Sequence, residues 1–322
     1  MMVEPSHKIR SILGIDNTSD PTRIGLRRGG GIFLTEADNV DIDDEGMPHR
    51  RKGYEDLLLS GDIHSLWSDG KKLGLFVQGT EFKKLNTDHT ATTLITDIDP
   101  TDQMCYVAVN NIVYFSNSSI IGYIRDGQPY PFPNPHQTFK QGMVGGHILE
   151  YYNNRLYAAY GNTIYFSDAT VLTRMDKRKN AIPFSDRITM MKAVLNGIFV
   201  SAGDHISFME GGDPFQFTYR DVSNVPAIER TAITVEEENI GRGEKGKAVY
   251  WLTELGVYRG LPGGMITQMQ DGLFSIRDID AGMAVLRDDN GYQQYLAIVP
   301  LKPGVGGASG EFRVPNPVVT GD

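Results

Sequence analysis

The stretch NNRLYAAYGNTIYFSD, residues 153–168, decides how this chain is read. It opens on Asn153-Asn154, a pair that tolerates positive φ and so suits a two-residue hairpin turn. An apolar, aromatic run follows and stops at Gly161-Asn162, a second turn signal. A second β-rich run then ends at Phe166. The pattern is strand, turn, strand, turn, strand.

Working outward, the same cue recurs along the chain. Asp69-Gly70 precedes KKLGLFVQG, Asn110-Asn111 precedes IVYFSN, and Asn196-Gly197 precedes IFVSAGD. Lys245-Gly246 precedes KAVYWLTELG and Asn290-Gly291 precedes YQQYLAIV. Taken in order with Asn153, these pairs are spaced by 41, 43, 43, 49 and 45 residues. Gly79-Thr80, Gly203-Asp204 and Leu255-Gly256 supply further second turns. A period of ~40–50 residues with four short strands per unit describes the blades of a β-propeller. A single blade cannot bury both faces of its sheet, so blades pack in a ring. The expectation is an all-β, six-bladed propeller over 31–301, with five or seven blades as alternatives. The competing fold is a β-sandwich, whose turns need not recur at one period. The run GIFLTEADNVDI, 31–42, is expected to complete the last blade beside residues near 290–300. Residues 1–30, with Lys8, Arg10, Arg23, Arg27 and Arg28, read as an N-terminal arm. Residues 302–322 are rich in Gly and Pro and read as a flexible tail. TVLTRMDKRK, 170–179, reads as a helical turn or a charged loop.

Composition narrows the function. Cys105 is the sole cysteine, so no intrachain disulfide forms. No apolar run reaches the ~18 residues of a membrane span, and MMVEPSHKIR lacks the apolar core of a signal peptide. A formal charge of −9 argues against a general nucleic-acid binder.

The apparent chemical motifs lack their necessary context. GRGEKGKA, 241–248, meets the G-x-G-x-x-G spacing and most of a phosphate loop. Its last position is Ala248 where a metal-binding hydroxyl belongs, and a β-rich run follows where a helix is required. It reads as a hairpin loop. DIDDEGMPHRRK, 41–52, begins like a calcium loop but places Lys52 where a bidentate Glu is needed. The seven histidines and Cys105 show no zinc spacing. No catalytic, metal or cofactor-binding residue is assigned, and none is expected.

Two stretches carry a family resemblance. DNVDIDDEGMPHRRKGY, 38–54, joins an Asn-Val pair, an acidic turn and an Arg-rich strand closing on Gly-Tyr. Residues 154–212 combine a strand ending Phe-Ser-Asp, a loop, Pro-Phe, Arg-Ile and a Gly-Ile-Phe-Val hairpin. Both resemble propeller proteins of tailed-phage virions, including the tail nozzle and packaged-DNA-stabilising types. The resemblance covers about half the chain, which lacks the large inserted domains many nozzles carry. It implies a virion structural protein of the tail or head–tail connection, made in the host cytoplasm. It also implies a ring of identical subunits, commonly six, that contacts portal, adaptor or other tail proteins and lets double-stranded DNA pass without specific binding. Two other functions compete: a propeller glycosidase, depolymerase or glycan-binding tail protein, and a monomeric protein-binding scaffold. For the structural reading, the docking candidates are the arm cations and the basic loop Arg174, Lys177, Arg178 and Lys179.

Overall fold

The computed structural model describes residues 12–18, 32–34, 37, 40–42, 47–50, 61–70, 73–135, 137–241, 243–269, 272, 274–277, 279, 281–289, 292–300 and 310–315. Lys8, Arg10, Arg23, Arg27, Arg28, Asn290 and Gly291 lie outside them.

Six antiparallel sheets follow one another along the described chain, and they form a β-propeller. Blade one is Ile63–Ser68, Gly74–Gln78, Glu81–Leu85 and Ala91–Ile95. Blade two is Cys105–Val109, Ile112–Ser116, Ile121–Arg125 and Gln128–Pro131. Blade three is Ile148–Tyr152, Arg155–Tyr160, Thr163–Phe166 and Ala181–Pro183. Blade four is Ile188–Val194, Gly197–Ala202, His205–Glu210 and Thr218–Ser223. Blade five is Ile233–Glu237, Gly246–Thr253, Gly256–Leu261 and Met265–Gln268. Blade six has three described strands, Met283–Asp289, Tyr292–Val299 and Gly310–Pro315.

The turns explain the register. Asn110 and Asn111 sit at φ 50° and 63°, and Asn153 and Asn154 at 42° and 61°. Both pairs thus place two consecutive residues in the left-handed region, which matches the right-handed twist of the strands they join. Gly79, Gly161 and Gly203 supply a positive φ to the second turns. Gly70 does the same inside a longer connection, closed where Leu73 N donates to Asp69 Oδ1 at 2.9 Å.

Asn196-Gly197 departs from expectation. Val194 pairs with Gly197, so the turn is Leu195-Asn196 and the glycine is already in the strand. Gly197 is needed for space: a Cβ there would stand 2.4 Å from Met209 O and 2.5 Å from Phe208 Cζ. Gly246 is likewise a strand residue, and its Cβ would meet Ile240 Cδ1 at 2.6 Å.

Successive blades are joined by apolar clusters made from facing sheet surfaces. Leu75, Val77 and Phe82 of blade one meet Val113, Phe115 and Ile124 of blade two. Tyr114 meets Leu149 and Leu156 between blades two and three. Tyr157, Ile164 and Phe166 meet Ile198, Val200 and Met209 between three and four. Phe199 and Phe208 meet Trp251 between four and five. Tyr250 and Leu252 meet Tyr295, Ala297 and Val299 between five and six. Each fully buried aliphatic or aromatic side chain contributes about 1.5–3 kcal/mol relative to exposure, so these seams carry most of the fold.

The ends correct the expected boundaries. Among the described residues of 31–42 none pairs with blade six: Ile32–Leu34 runs parallel to Ile12–Ile15, and Val40–Ile42 pairs with Pro48–Arg50. One link from Val40–Ile42 to blade six is ionic, with Asp41 Oδ2 3.8 Å from Arg287 Nη1. Part of the expected arm belongs to the body. Ile12 is buried, Ile15 packs against the cluster of blades five and six, and Asn17 exchanges two 3.0 Å bonds with the Ser275 backbone. Within the expected tail, Gly310–Pro315 is a strand paired with Tyr292–Val299. The Gly/Pro composition hid this six-residue β-capable run.

Candidate docking surface

Blade three makes an excursion between its third and fourth strands, and this is where the basic loop lies. Arg174–Asp176 forms a short ribbon with Lys140–Gly142, from the connection between blades two and three. The ribbon therefore replaces the helical turn considered for 170–179. Met175 anchors it, buried with Tyr114, Met143 and Leu149.

Asp168 organises the base of the ribbon. Lys140 Nζ lies 2.7 Å and Arg174 Nε 2.8 Å from its Oδ2. Partial burial raises the Asp168 carboxyl, and the bonds from Lys140 and Arg174 outweigh it, leaving the pKa below the usual value. At the tip, Arg178 donates from Nε and Nη2 to the two oxygens of Asp176, at 3.1 and 2.9 Å. That fork, with the Arg178 backbone N–H, holds the Asp176 carboxyl well below the carboxylate range.

Two phenylalanines complete the surface. The Arg178 guanidinium lies 3.8 Å from the centroid of Phe139, which is 45 % exposed and sits at φ 64°. Lys179 Nζ lies 5.4 Å from the centroid of Phe215, which is 51 % exposed. Arg155 approaches the same ring at 6.0 Å, and Phe166 meets it edge-on. Cations stacked on aromatic faces stay partly desolvated yet accessible. Lys140, Arg155, Arg174, Lys177, Arg178 and Lys179 are thus gathered on one side of blade three. Asp168 and Asp176 neutralise part of that charge, and Asp213, whose Oδ1 accepts from Phe215 N at 3.2 Å, stands beside it.

All four basic-loop candidates fall on this one excursion. Arg174 and Arg178 are committed to internal carboxylates, while Lys177 and Lys179 are exposed. Phe139 and Phe215 were not read as site residues, because each comes from a different part of the chain. Part of the family-like motif also lands here, at Ser167 and Asp168, while its Arg187 lies away from the ribbon. Ser167 Oγ accepts from Leu156 N at 2.9 Å, Asp168 ties the ribbon, and Arg187 pairs with Glu229 across blades. These motif positions hold architecture together.

The other motifs resolve simply. GRGEKGKA crosses the loop between Ile233–Glu237 and Gly246–Thr253 and leads into a strand. Asn239 Oδ1 accepts from Gly241 N and Gly243 N, which folds that loop back on itself. Among the described residues no group of three or more His, Cys, Asp or Glu is placed to hold a metal, and no helix is long and apolar enough to cross a membrane.

No family model and no curated protein matches the chain. Among solved structures it is similar to the extracellular domain of a putative hybrid two-component system from Bacteroides thetaiotaomicron, at 15 % identity and a TM-score of 0.48. That match covers 79 % of this chain and 33 % of the other, so the chain spans a third of that relative. It is also similar to the WD40 β-propeller domain of Doa1, at 9 % identity and a TM-score of 0.45, covering 75 % of this chain and 79 % of that one. A gluconolactonase from Xanthomonas campestris aligns at 11 % identity and a TM-score of 0.43, covering 73 % and 82 %. The propeller assignment itself stands on the sheet order and the clusters between blades.

Proposed function

We propose that the chain is a structural component of a phage tail or head–tail connection, working by docking and not by catalysis. The observation that carries this reading is the ribbon surface on blade three. A net-acidic chain of charge −9 concentrates cations there, on a braced two-stranded ribbon and over two half-exposed aromatic rings. A rigid aromatic–cation surface suits an acidic protein face, because little side-chain entropy is lost on contact. The residues of the family-like stretch 154–212 cross-link blades three and four, as expected of a part that bears assembly loads. In this reading the neighbours are further copies of the chain, in a ring around passing DNA, and portal or adaptor proteins.

The test is co-sedimentation with tail-less capsids. Lys177→Glu combined with Lys179→Glu reverses charge at two exposed positions without touching Asp168 or Asp176. We expect the double variant to melt like wild type and to lose occupancy on capsids. Wild-type occupancy by the variant would remove the ribbon from the contact. Absence of the wild-type protein from purified virions would refute the structural reading.

A further inference from the structure

At one end of the propeller axis, the connections that enter the inner strands bring His64, His147, Arg187, Glu229 and Arg230 together. His64 is the second residue of its strand, and His147 and Arg187 immediately precede theirs. Glu229 and Arg230 lie in the turn before Ile233–Glu237. The first strands of successive blades are innermost and enter from the same end, so their starting residues share one mouth. Arg187 Nη2 is 2.9 Å from Glu229 Oε1, and Arg230 Nη2 is 3.9 Å from the same oxygen.

Arg230 is the anomaly. It sits at φ 67°, a region that costs a residue with a Cβ strain and persists only where the surroundings over-determine it. Here they do. Thr231 Oγ1 donates to Ile228 O at 2.7 Å and accepts from Leu252 N at 3.1 Å. Tyr295 OH donates to Thr231 O at 2.7 Å, and Gly282 N donates to Glu229 O at 2.9 Å. Blades five and six thus lock the turn from both sides. Yet the Arg230 guanidinium makes no hydrogen bond among the described residues, and its side chain is 36 % exposed. The strain therefore brings the fold no hydrogen bond from the guanidinium, only the 3.9 Å ion pair with Glu229; it sets a cation with unused donors beside Arg187.

The neighbours suit an anion. His147 is buried, and its Nε2 lies 2.8 Å from Ile188 O, where it acts as donor, so the proton resides on that nitrogen. Burial lowers the His147 pKa, and Arg187 and Arg230 lower it further against the Ile188 bond. Burial and then Arg230 lower that of His64 as well, the Pro100 carbonyl and Asp62 opposing. The two guanidiniums share Glu229, with Asp62 one residue ahead of His64 as the other carboxylate felt there.

We propose that this axial mouth binds a small oxyanion, a phosphate or carboxylate group, through Arg230 and Arg187, with Glu229 orienting Arg187. The planar guanidinium fork matches both kinds of anion. This site is independent of the ribbon on blade three.

Isothermal titration calorimetry with inorganic phosphate, at constant ionic strength and against chloride, tests it. Glycine adopts φ 67° without strain, so Arg230→Gly should keep or raise the melting temperature while weakening phosphate binding about tenfold or more. Arg187→Gln, at an exposed side chain, should weaken it similarly. Saturable binding by wild type that both variants lose supports the site. Three results would overturn it: no saturable phosphate binding by wild type, binding by Arg230→Gly equal to wild type, or a lowered melting temperature for Arg230→Gly, which would make the arginine structural.

Discussion

Replacing Gly197 with alanine isolates the close approach of two strands in blade four. Gly197 pairs with Val194 on one side and Glu210 on the other. An added Cβ meets Met209 O at 2.4 Å, Phe208 Cζ at 2.5 Å and Phe208 Cε1 at 2.9 Å. The ring could turn, but Phe208 is fully buried against Phe199 and Trp251, so its motion disturbs the seam between blades four and five. The carbonyl belongs to the neighbouring strand and moves only with it. Overpacking of this kind costs typically 1–3 kcal/mol, and a backbone contact puts Gly197→Ala at the upper end, about 3 kcal/mol. Gly161→Ala is the control: its φ is +60° and nothing lies within 4 Å of a Cβ, so it pays only the conformational strain, about 1–2 kcal/mol. Urea unfolding of both variants measures the difference. A Gly197→Ala penalty no greater than that of Gly161→Ala would refute the packing argument.

Asp168→Asn should destabilise by about 1–3 kcal/mol at neutral pH, because Lys140 and Arg174 lose their shared carboxylate. The Asp168 pKa is depressed in the fold, so its contribution is present above the unfolded value and lost as pH falls through the folded one; the two unfolding curves should converge below about pH 4. Desolvation at the half-buried Cys105, whose Sγ lies 3.2 Å from Ser116 O, pushes its thiol up to about 12, so iodoacetamide at mildly alkaline pH should label the native protein slowly and the urea-unfolded protein readily; native labelling as rapid as that of the unfolded chain would contradict the raised pKa. Deleting residues 1–18 should lower the melting temperature more than deleting 1–11, because only the longer deletion removes Ile12, Ile15 and the Asn17–Ser275 bonds; equal values would show the strand to be passive.

The blade repeat was legible because its signal is local. A two-residue turn needs particular φ values, and Asn110-Asn111 and Asn153-Asn154 announce them within the turn itself. Asn196-Gly197 misled for the same reason: a glycine after an asparagine reads as a turn, whereas here it makes room for Phe208, eleven residues later in sequence but adjacent across the sheet. Segments whose place depends on distant partners were less legible. Ile12–Ile15 is too short to show a period, and its burial depends on blades five and six, more than two hundred residues later.

The sites divide along the same line. The basic loop was visible as a charge run, but spacing could not tell which of its cations fold inward. Arg174 and Arg178 face Asp168 and Asp176 because the ribbon returns the chain on itself, and that follows from pairing with Lys140–Gly142, some thirty residues earlier. Of the axial residues only Arg187 falls in a motif, the Arg-Ile pair of the family-like stretch. His64, His147, Arg187 and Arg230 come from four different blade entries, and each looks like an ordinary residue at the start of a strand. What unites them is the repeat: every blade delivers the start of its inner strand to the same mouth, so chemistry there is assembled at the blade period and not at the spacing of any helix or hairpin. In a propeller, then, residues one to three positions before or after the start of each inner strand are compared most usefully with one another across blades. Here that comparison sets Arg230, strained and with a guanidinium that makes no hydrogen bond among the described residues, apart from Thr231, which blades five and six both engage.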